Sequence, residues 1–448
     1  MTETSRPAER PAPNNGSEAA SKGNRVFLAD GARTPFIKAR SGPGPFTPVD
    51  LAVQAGRPLL ARQSFPREMF DLVILGCVNV IADEMNPARV AALRLSLGET
   101  MVAFTMQINC GSGMQSIDTA YRYIRDGSHD LILAGGAEAL SHAPLVLRQS
   151  AVEWFGKLNS ATSTKERLGA LTDIRPDFFK PVIGLERGLT DPITELNMGQ
   201  TAEVLAHRFG ISREMADLYA VESHHRLAAA QSEGRLEDEV MPAFARDGSV
   251  YDVDDGVRPN SDPEKLAKLD PVFEKPYGKI TAGNASQITD GACWCIVASE
   301  RAVEKHGLTP LAEITDSGWA ALDPAIMGLG PVVAATPLAE RRGWIAEDID
   351  LWEINEAFAA QVLSCLSAWQ DANFCREVLG LEGAFGTIDR DRLNIDGGAI
   401  SLGHPVGTSG NRIVLHLANA MKRRGARRGI ATECIGGGLG GAMLLEAV

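Results

Sequence analysis

The sequence predicts an α/β protein made of two similar halves, with a mostly parallel sheet covered by helices on its faces. Three observations carry this. Short apolar runs of strand character alternate with segments of helical spacing. The same rhythm returns near the C-terminus, and a more polar, irregular stretch at about 145–280 interrupts the first half.

Ordered sequence is expected to begin at "NRVFLADGARTPF", a short strand followed by a turn. "VDLAVQAGRPLLAR" and "MQSIDTAYRYIRDG" have the i, i+3, i+4 spacing of amphipathic helices, and "FDLVILGCVNV", "DLILAGGAEAL" and "GACWCIVAS" read as strands. The polar stretch holds one helix pair, "MGQTAEVLAHRFG" and "SREMADLYAVESHHRLAAAQSEG". The first is capped by an upstream Thr or Asn, and the second by Ser212. Beyond it, "DIDLWEINEAFAAQVLSCLSAW" is strand then helix, "SGNRIVLHLANAMKRRGARRG" is a helix, and "IATECIGGGLGGAMLLEAV" is two strands joined by glycines. The basic end "MKRRGARRG" offsets a helix macrodipole and reads as a solvated terminus. His416 falls within that helix and reads as packing.

Composition excludes several classes. The 448 residues are 44% hydrophobic and 23% charged, the balance of a soluble globular protein with a large core. A net charge of −13 argues against a nucleic-acid binder while leaving room for a local basic site. No apolar run reaches the roughly 20 residues that span a bilayer. The first 24 residues, rich in Pro, Ser, Ala and Glu, read as a disordered tail without a signal peptide, with a mitochondrial transit peptide the weaker alternative because three glutamates sit among the arginines. The seven cysteines are odd in number and fit neither a disulfide framework nor a metal site, so a reducing cytoplasm is the expected compartment.

Four segments crowd glycine with reactive residues: "NCGSG" with Cys110, "NEAFAA" with Asn355, "GGAISLGHPVGTSG" with His404, and "CIGGGLGG" with Cys434. A thiol at the seam between strand and helix meets the positive end of the helix, which favours the thiolate. A histidine in reach can take a proton during attack. Glycines beside the cysteines let backbone N–H groups approach a carbonyl oxygen.

These segments, in this order and together with "GGAEALSHAP" and "TAGNASQITDGA", resemble the thiolase family, in particular the acetyl-CoA C-acyltransferases. The middle of the chain is similar to the long thiolases that include the β-subunits of fatty-acid oxidation complexes. The resemblance implies a duplicated, five-layered αβαβα fold. The first half would span 25–305, with a loop domain inserted at about 145–280, and the second 306–448.

It implies the roles as well. Cys110 would be the acylated nucleophile, His404 its base, and Cys434 the second acid/base. Asn355 would hold a water that forms one oxyanion hole with His404, and the N–H groups of Cys110 and Gly436 would form the other. Glu356 would orient the "NEAFA" motif. Coenzyme A would be a co-substrate with no permanently bound cofactor. Ser286 would lie near its pantetheine, Arg258 near its nucleotide, and Met198 in the acyl pocket. A homodimer or homotetramer is implied, and a subunit role in a fatty-acid oxidation complex is the alternative assembly. Oxidation-complex thiolases often carry histidine where Asn355 stands, so the chain mixes features. The rivals are a ketosynthase of the same fold, against which Cys434 argues, and a non-catalytic acyl-chain binder, against which Cys110 and His404 argue.

Overall fold

The structure, a computed structural model, describes residues 23–448; the expected N-terminal tail lies almost wholly outside them. In the first half, strands β1 (Val26–Arg33), β2 (Leu72–Gly76), β3 (Ala103–Met106), β4 (Leu131–Ala139) and β5 (Thr289–Ser299) accompany helices α1 (Pro48–Ala61), α2 (Pro87–Arg94) and α3 (Ser112–Arg125). The insertion contributes α4 (Gln149–Ser160), α5 (Met198–Arg208) and α6 (Arg213–Ser232). The second half comprises β6 (Ala312–Ala321), α7 (Gly330–Glu340), β7 (Leu351–Ile354), α8 (Ala359–Gln370), α9 (Val406–Arg424), β8 (Arg428–Ile435) and β9 (Leu439–Glu446).

Local chemistry accounts for the helix starts. Thr47 and Asp50 form a reciprocal capping box with Pro48 in the first turn of α1. Asn197 and Gln200 do the same for α5, and Ser212 caps α6 by accepting from Met215 N–H at 3.2 Å.

The strands form one continuous sheet in the order β7-β8-β9-β6-β1-β5-β4-β2-β3. Outward from the β1/β6 seam, each side runs first strand, last strand, then the strand before it, then the second. The duplication is therefore visible in topology. The second half lacks only a full counterpart of β3, reduced to a parallel bridge between Trp352 and Leu393. The expectation of a mostly parallel sheet is corrected. β4/β2, β2/β3 and β8/β7 are parallel, but β5 runs antiparallel to both β1 and β4, and β9 runs antiparallel to both β6 and β8. The cause in the second half is the tight glycine turn from β8 to β9, which can join only antiparallel strands.

Three apolar clusters separate five layers. One packs α1 and α2 on the outer face of the first half-sheet (Val49, Leu59, Val73, Trp294). Another packs α7 and α8 on the second (Leu338, Trp352, Val362, Trp369). Between the inner faces lie α3 and α9, joined through Met114, Ile117, Ile413 and Leu417.

These central helices meet at glycines. A Cβ on Gly113 would stand 2.8 Å from Asn411 N and 3.0 Å from Gly407 O, and one on Gly410 would stand 2.7 Å from Met114 N. Gly113→Ala should therefore force α3 and α9 apart and cost about 1–3 kcal/mol. Gly156→Ala, on α4 with no atom within 4 Å of the new methyl, should gain about 0.5–1 kcal/mol. Thermal unfolding midpoints of the two variants should thus move in opposite directions.

Candidate active site

Cys110 occupies a tight turn two residues ahead of α3. Asn109 adopts a left-handed backbone there (φ 47°), which asparagine tolerates better than most residues. The Ser112 hydroxyl pins the turn, donating to Asn109 O at 2.7 Å and accepting from Ile108 N–H at 2.9 Å. Asn109 Nδ2 then donates to Gly436 O at 2.8 Å. This bond ties the Cys110 turn to the β8–β9 hairpin, whose Gly436 N–H donates toward the Cys110 sulfur. Gly437 and Gly438 have φ of 92° and 77°, values that residues with a side chain rarely take, so the hairpin requires glycine. Two residues before Gly436, Cys434 is the penultimate residue of β8 and is fully buried.

The second limb is built around α9. His404 N–H donates to Gln287 O at 2.9 Å. Its Nδ1 meets the Ser409 hydroxyl at 2.6 Å, and that hydroxyl donates onward to Pro405 O at 3.3 Å. Ser409 is then an acceptor from Nδ1–H, so Nε2 carries the lone pair, facing Asn355 Nδ2 at 3.5 Å. Asn355 is fully buried, and its Oδ1 has no hydrogen-bond partner among the described residues. Glu356 beside it accepts from Tyr219 Oη at 2.9 Å, Ser223 Oγ at 2.7 Å and Asn394 Nδ2 at 2.9 Å. Those bonds hold the segment in place and use its carboxylate for structure.

His404 precedes α9 by two residues, as Cys110 precedes α3, and the glycine contacts hold the first turns of those two helices together. Cys110, Cys434, Gly436, His404 and Asn355 thus come from strand ends and helix starts on one side of the two half-sheets.

Burial decides the protonation states. It pushes the Cys110 thiol up to about 12, against the lowering by Gly436 N–H, and it raises Cys434 well above the ordinary thiol value, with Cys110 adding to the shift. It lowers His404 to about 4, with Arg412 adding to the effect. The helix-end effect that favours a thiolate is opposed here. Gly111 and Ser112 N–H are spent inside the turn, on Ile108 O and Asn109 O at 3.1 Å each, and burial outweighs what remains. Both shifts favour the neutral thiol and the neutral imidazole, although Cys110 itself is only half-buried.

A largely apolar cavity of about 510 Å3 opens over this region, lined by Asn109, Cys110, Leu189, Pro192, Met198 and Gly436 among others. Met198, the first residue of α5, has its sulfur beside Gly436. Ser286 is joined to the "NEAFA" segment, its N–H donating to Ala357 O at 3.0 Å, but lines neither this cavity nor the next. Arg258 lies apart, in a second cavity of about 440 Å3 with Asn260, Ser261 and Lys265. Its backbone N–H donates to His224 Nδ1 at 3.1 Å.

Sequence reasoning missed Asn109 and Ser409. Each sits within a few residues of a reactive group, and the asparagine before a Cys-Gly turn was the available signal.

Comparison with known proteins follows the same division. Residues 26–301 match the family described as thiolase, N-terminal domain, and residues 308–447 match thiolase, C-terminal domain. The acetyl-CoA acetyltransferase of Allochromatium vinosum is 37% identical over 404 residues, 89% of this chain and 93% of its own. The mitochondrial trifunctional enzyme subunit beta of Bos taurus is 35% identical over 94% of this chain and 88% of its own. The crystal structure of human mitochondrial 3-ketoacyl-CoA thiolase in complex with CoA superposes with a TM-score of 0.81 at 36% identity, covering 95% of this chain and 98% of that one.

The neutral resting pair is testable without substrate. Because burial holds the Cys110 thiol near 12, its alkylation by iodoacetamide should keep accelerating as pH rises beyond 9, followed by peptide mass spectrometry. A rate that levels off near neutrality would reveal a preformed thiolate–imidazolium pair.

Proposed function

Since the chain belongs to the thiolase family, we propose that it is an acetyl-CoA C-acyltransferase. It would cleave 3-ketoacyl-CoA thiolytically with coenzyme A, or run the reverse Claisen condensation, through an acyl-Cys110 intermediate. One observation carries the reading. The Asn109–Gly436 bond holds the turn of one cysteine to the hairpin of another at the wall of a single apolar cavity.

In the cleaving direction, the Cys110 sulfur attacks the 3-keto carbon as its proton passes to His404 Nε2. The oxyanion that forms is held by N–H donors, with a water on Asn355 and His404 serving one carbonyl and the Cys110 and Gly436 N–H groups the other. The unpartnered Oδ1 of Asn355 supports such a water, since a buried acceptor needs a donor. The bond between the α- and 3-carbons then breaks, and the acetyl-CoA enolate takes the Cys434 proton at carbon. Coenzyme A enters, gives its thiol proton to the Cys434 thiolate and attacks the acyl-Cys110 thioester. The departing Cys110 sulfur recovers the proton held by His404. Sulfur suits both exchanges because one thioester becomes another, keeping the acyl group activated and the step close to reversible.

Met198 would line the acyl pocket, Ser286 would meet the pantetheine and Arg258 the nucleotide. The separate cavity around Arg258 supports an extended ligand that touches the protein at more than one place. The human structure that superposes on this chain is titled as a complex with CoA. The same reading divides the chain into halves 25–305 and 306–448, supported by the mirrored strand order. Self-association as a dimer or tetramer and a cytoplasmic location belong to the proposal. So does assembly into an oxidation complex, supported by the bovine relative's description as a subunit.

The test separates the two cysteines. Cys110→Ser should nearly abolish turnover. Cys434→Ala should slow cleavage by about 10²–10⁴-fold while acetyl-CoA still labels Cys110 with one acetyl group, read by mass spectrometry. An unlabelled Cys110 in that variant, or near-normal turnover in the first, defeats the mechanism. A thiolysis series over short, medium and long 3-ketoacyl-CoA substrates then fixes the chain length.

A further inference from the structure

The "GGAE" segment that ends β4 has a role that the acyl-transfer steps leave unused. Glu138 is fully buried in β4, opposite Gly291 of β5. Its carboxylate accepts three backbone N–H bonds, from Val78 at 3.0 Å, Asn79 at 3.0 Å and Gly407 at 3.1 Å. Val78 and Asn79 line the Cys110 cavity on one side, and Val406, the residue before Gly407, lines it on the other.

Helix α9 has no side-chain cap of its own, because its N-cap residue is Pro405. Glu138 supplies the acceptor from a neighbouring strand, at the end where negative charge is favoured. Gly136 makes room for this approach, since a Cβ there would stand 2.8 Å from Thr408 Cα.

We propose that Glu138 is a positioning residue for the reaction above. Its ionised carboxylate ties both walls of the Cys110 cavity together and so fixes the α9 terminus that carries His404. The inference rests on the thiolase reading. Protonation removes acceptor capacity that three N–H donors require, so the clamp loosens as pH falls.

The ionisable groups that bear on Glu138 are Asp290 on β5 with His142 facing it, Cys77 after β2 with Glu84 beyond it, and Cys110 before α3. Burial, with a smaller contribution from Asp290, holds the Glu138 carboxyl near 7 despite its three donors. Both cysteines are raised and stay neutral through that range, and His404 titrates near 4. The acid limb of kcat/KM should then fall near pH 7 through Glu138.

The experiment is the pH profile of kcat/KM for thiolysis by the full chain, in wild type, E138Q and E138D. Wild type should show the limb near 7. E138Q, uncharged and offering an amide where N–H groups converge, should lose that limb and drop kcat by about 10²-fold at pH 8 with KM little changed. E138D, too short to reach all three donors, should keep a limb with reduced kcat. An acid limb near 4 in wild type overturns the proposal, whatever the variants' folding. So does a limb near 7 that survives unchanged in E138Q, which would assign it to another group. Absence of thiolysis by wild type instead overturns the functional reading itself.

Discussion

The contact on which the site depends is the crossing of α3 and α9. Both helices are buried between the two half-sheets, where protein interiors are close-packed and neighbouring parts cannot shift independently. At the crossing, Gly113 lies against Gly407 and Asn411, and Gly410 against Met114. Backbone therefore meets backbone, and the first turns of the helices approach more closely than side chains would permit. Cys110 and His404, each two residues ahead of its helix, inherit that geometry. Two residues far apart in sequence are thereby positioned by one packing arrangement, and the mirrored strand order explains how it arises. Each half delivers a helix from the same place in its topology to the shared central layer.

Enclosure in this layer has an electrostatic consequence. A half-buried thiol and a buried imidazole both favour their neutral forms, which moves Cys110 up to about 12 and His404 down to about 4. Under the proposed reaction, ionisation would then accompany attack. In that reaction, stabilisation of the developing oxyanion would be the term that makes transfer possible, since a proton would leave Cys110 only as negative charge appeared on a carbonyl oxygen facing fixed N–H donors. Cys434 follows the same logic. A buried neutral thiol can deliver a proton to carbon, whereas a lysine there would have to be charged or pay the cost of burial.

Much of this was legible from residue order. Strand ends, helix starts and glycine clusters are local features, so the elements and the four reactive segments could be read directly, and the caps on α5 and α6 followed from Asn197 and Ser212. Strand direction in β5 could not, because alternation of strands and helices marks elements without giving the sense in which one enters the sheet after a long insertion. The surroundings of Cys110 were legible only in part, for a related reason. Proximity to a helix start is visible in sequence, but the spending of Gly111 and Ser112 N–H within the turn is not. Glu138 offered a usable clue, an acid inside the otherwise apolar run "DLILAGGAEAL". Its partners lie on the loop after β2 and on α9, so only the fold reveals what it holds.

The inserted region is joined to the central layer by charge as well as by apolar contact. Arg33 of β1 binds Glu239 at 2.9 Å and Asp254 at 2.7 Å, both from the insertion. His416 of α9 completes the link, with Nδ1 3.0 Å from Glu239 and Nε2 3.4 Å from Asp396. The sequence suggested mere packing for that histidine. Burial alone would lower it, yet the carboxylates of Glu239 and Glu353 outweigh burial and raise it to about 10. Such a lattice contributes little net stability, since desolvation consumes most of the attraction. What it supplies is registry. Removing one charge would strand the others in a medium that cannot solvate them, so the insertion seats against β1 and α9 in one arrangement. Because α9 follows directly on His404 and the insertion carries Met198, this buried charge lattice couples the helix start beside His404 to the Met198 wall of the cavity.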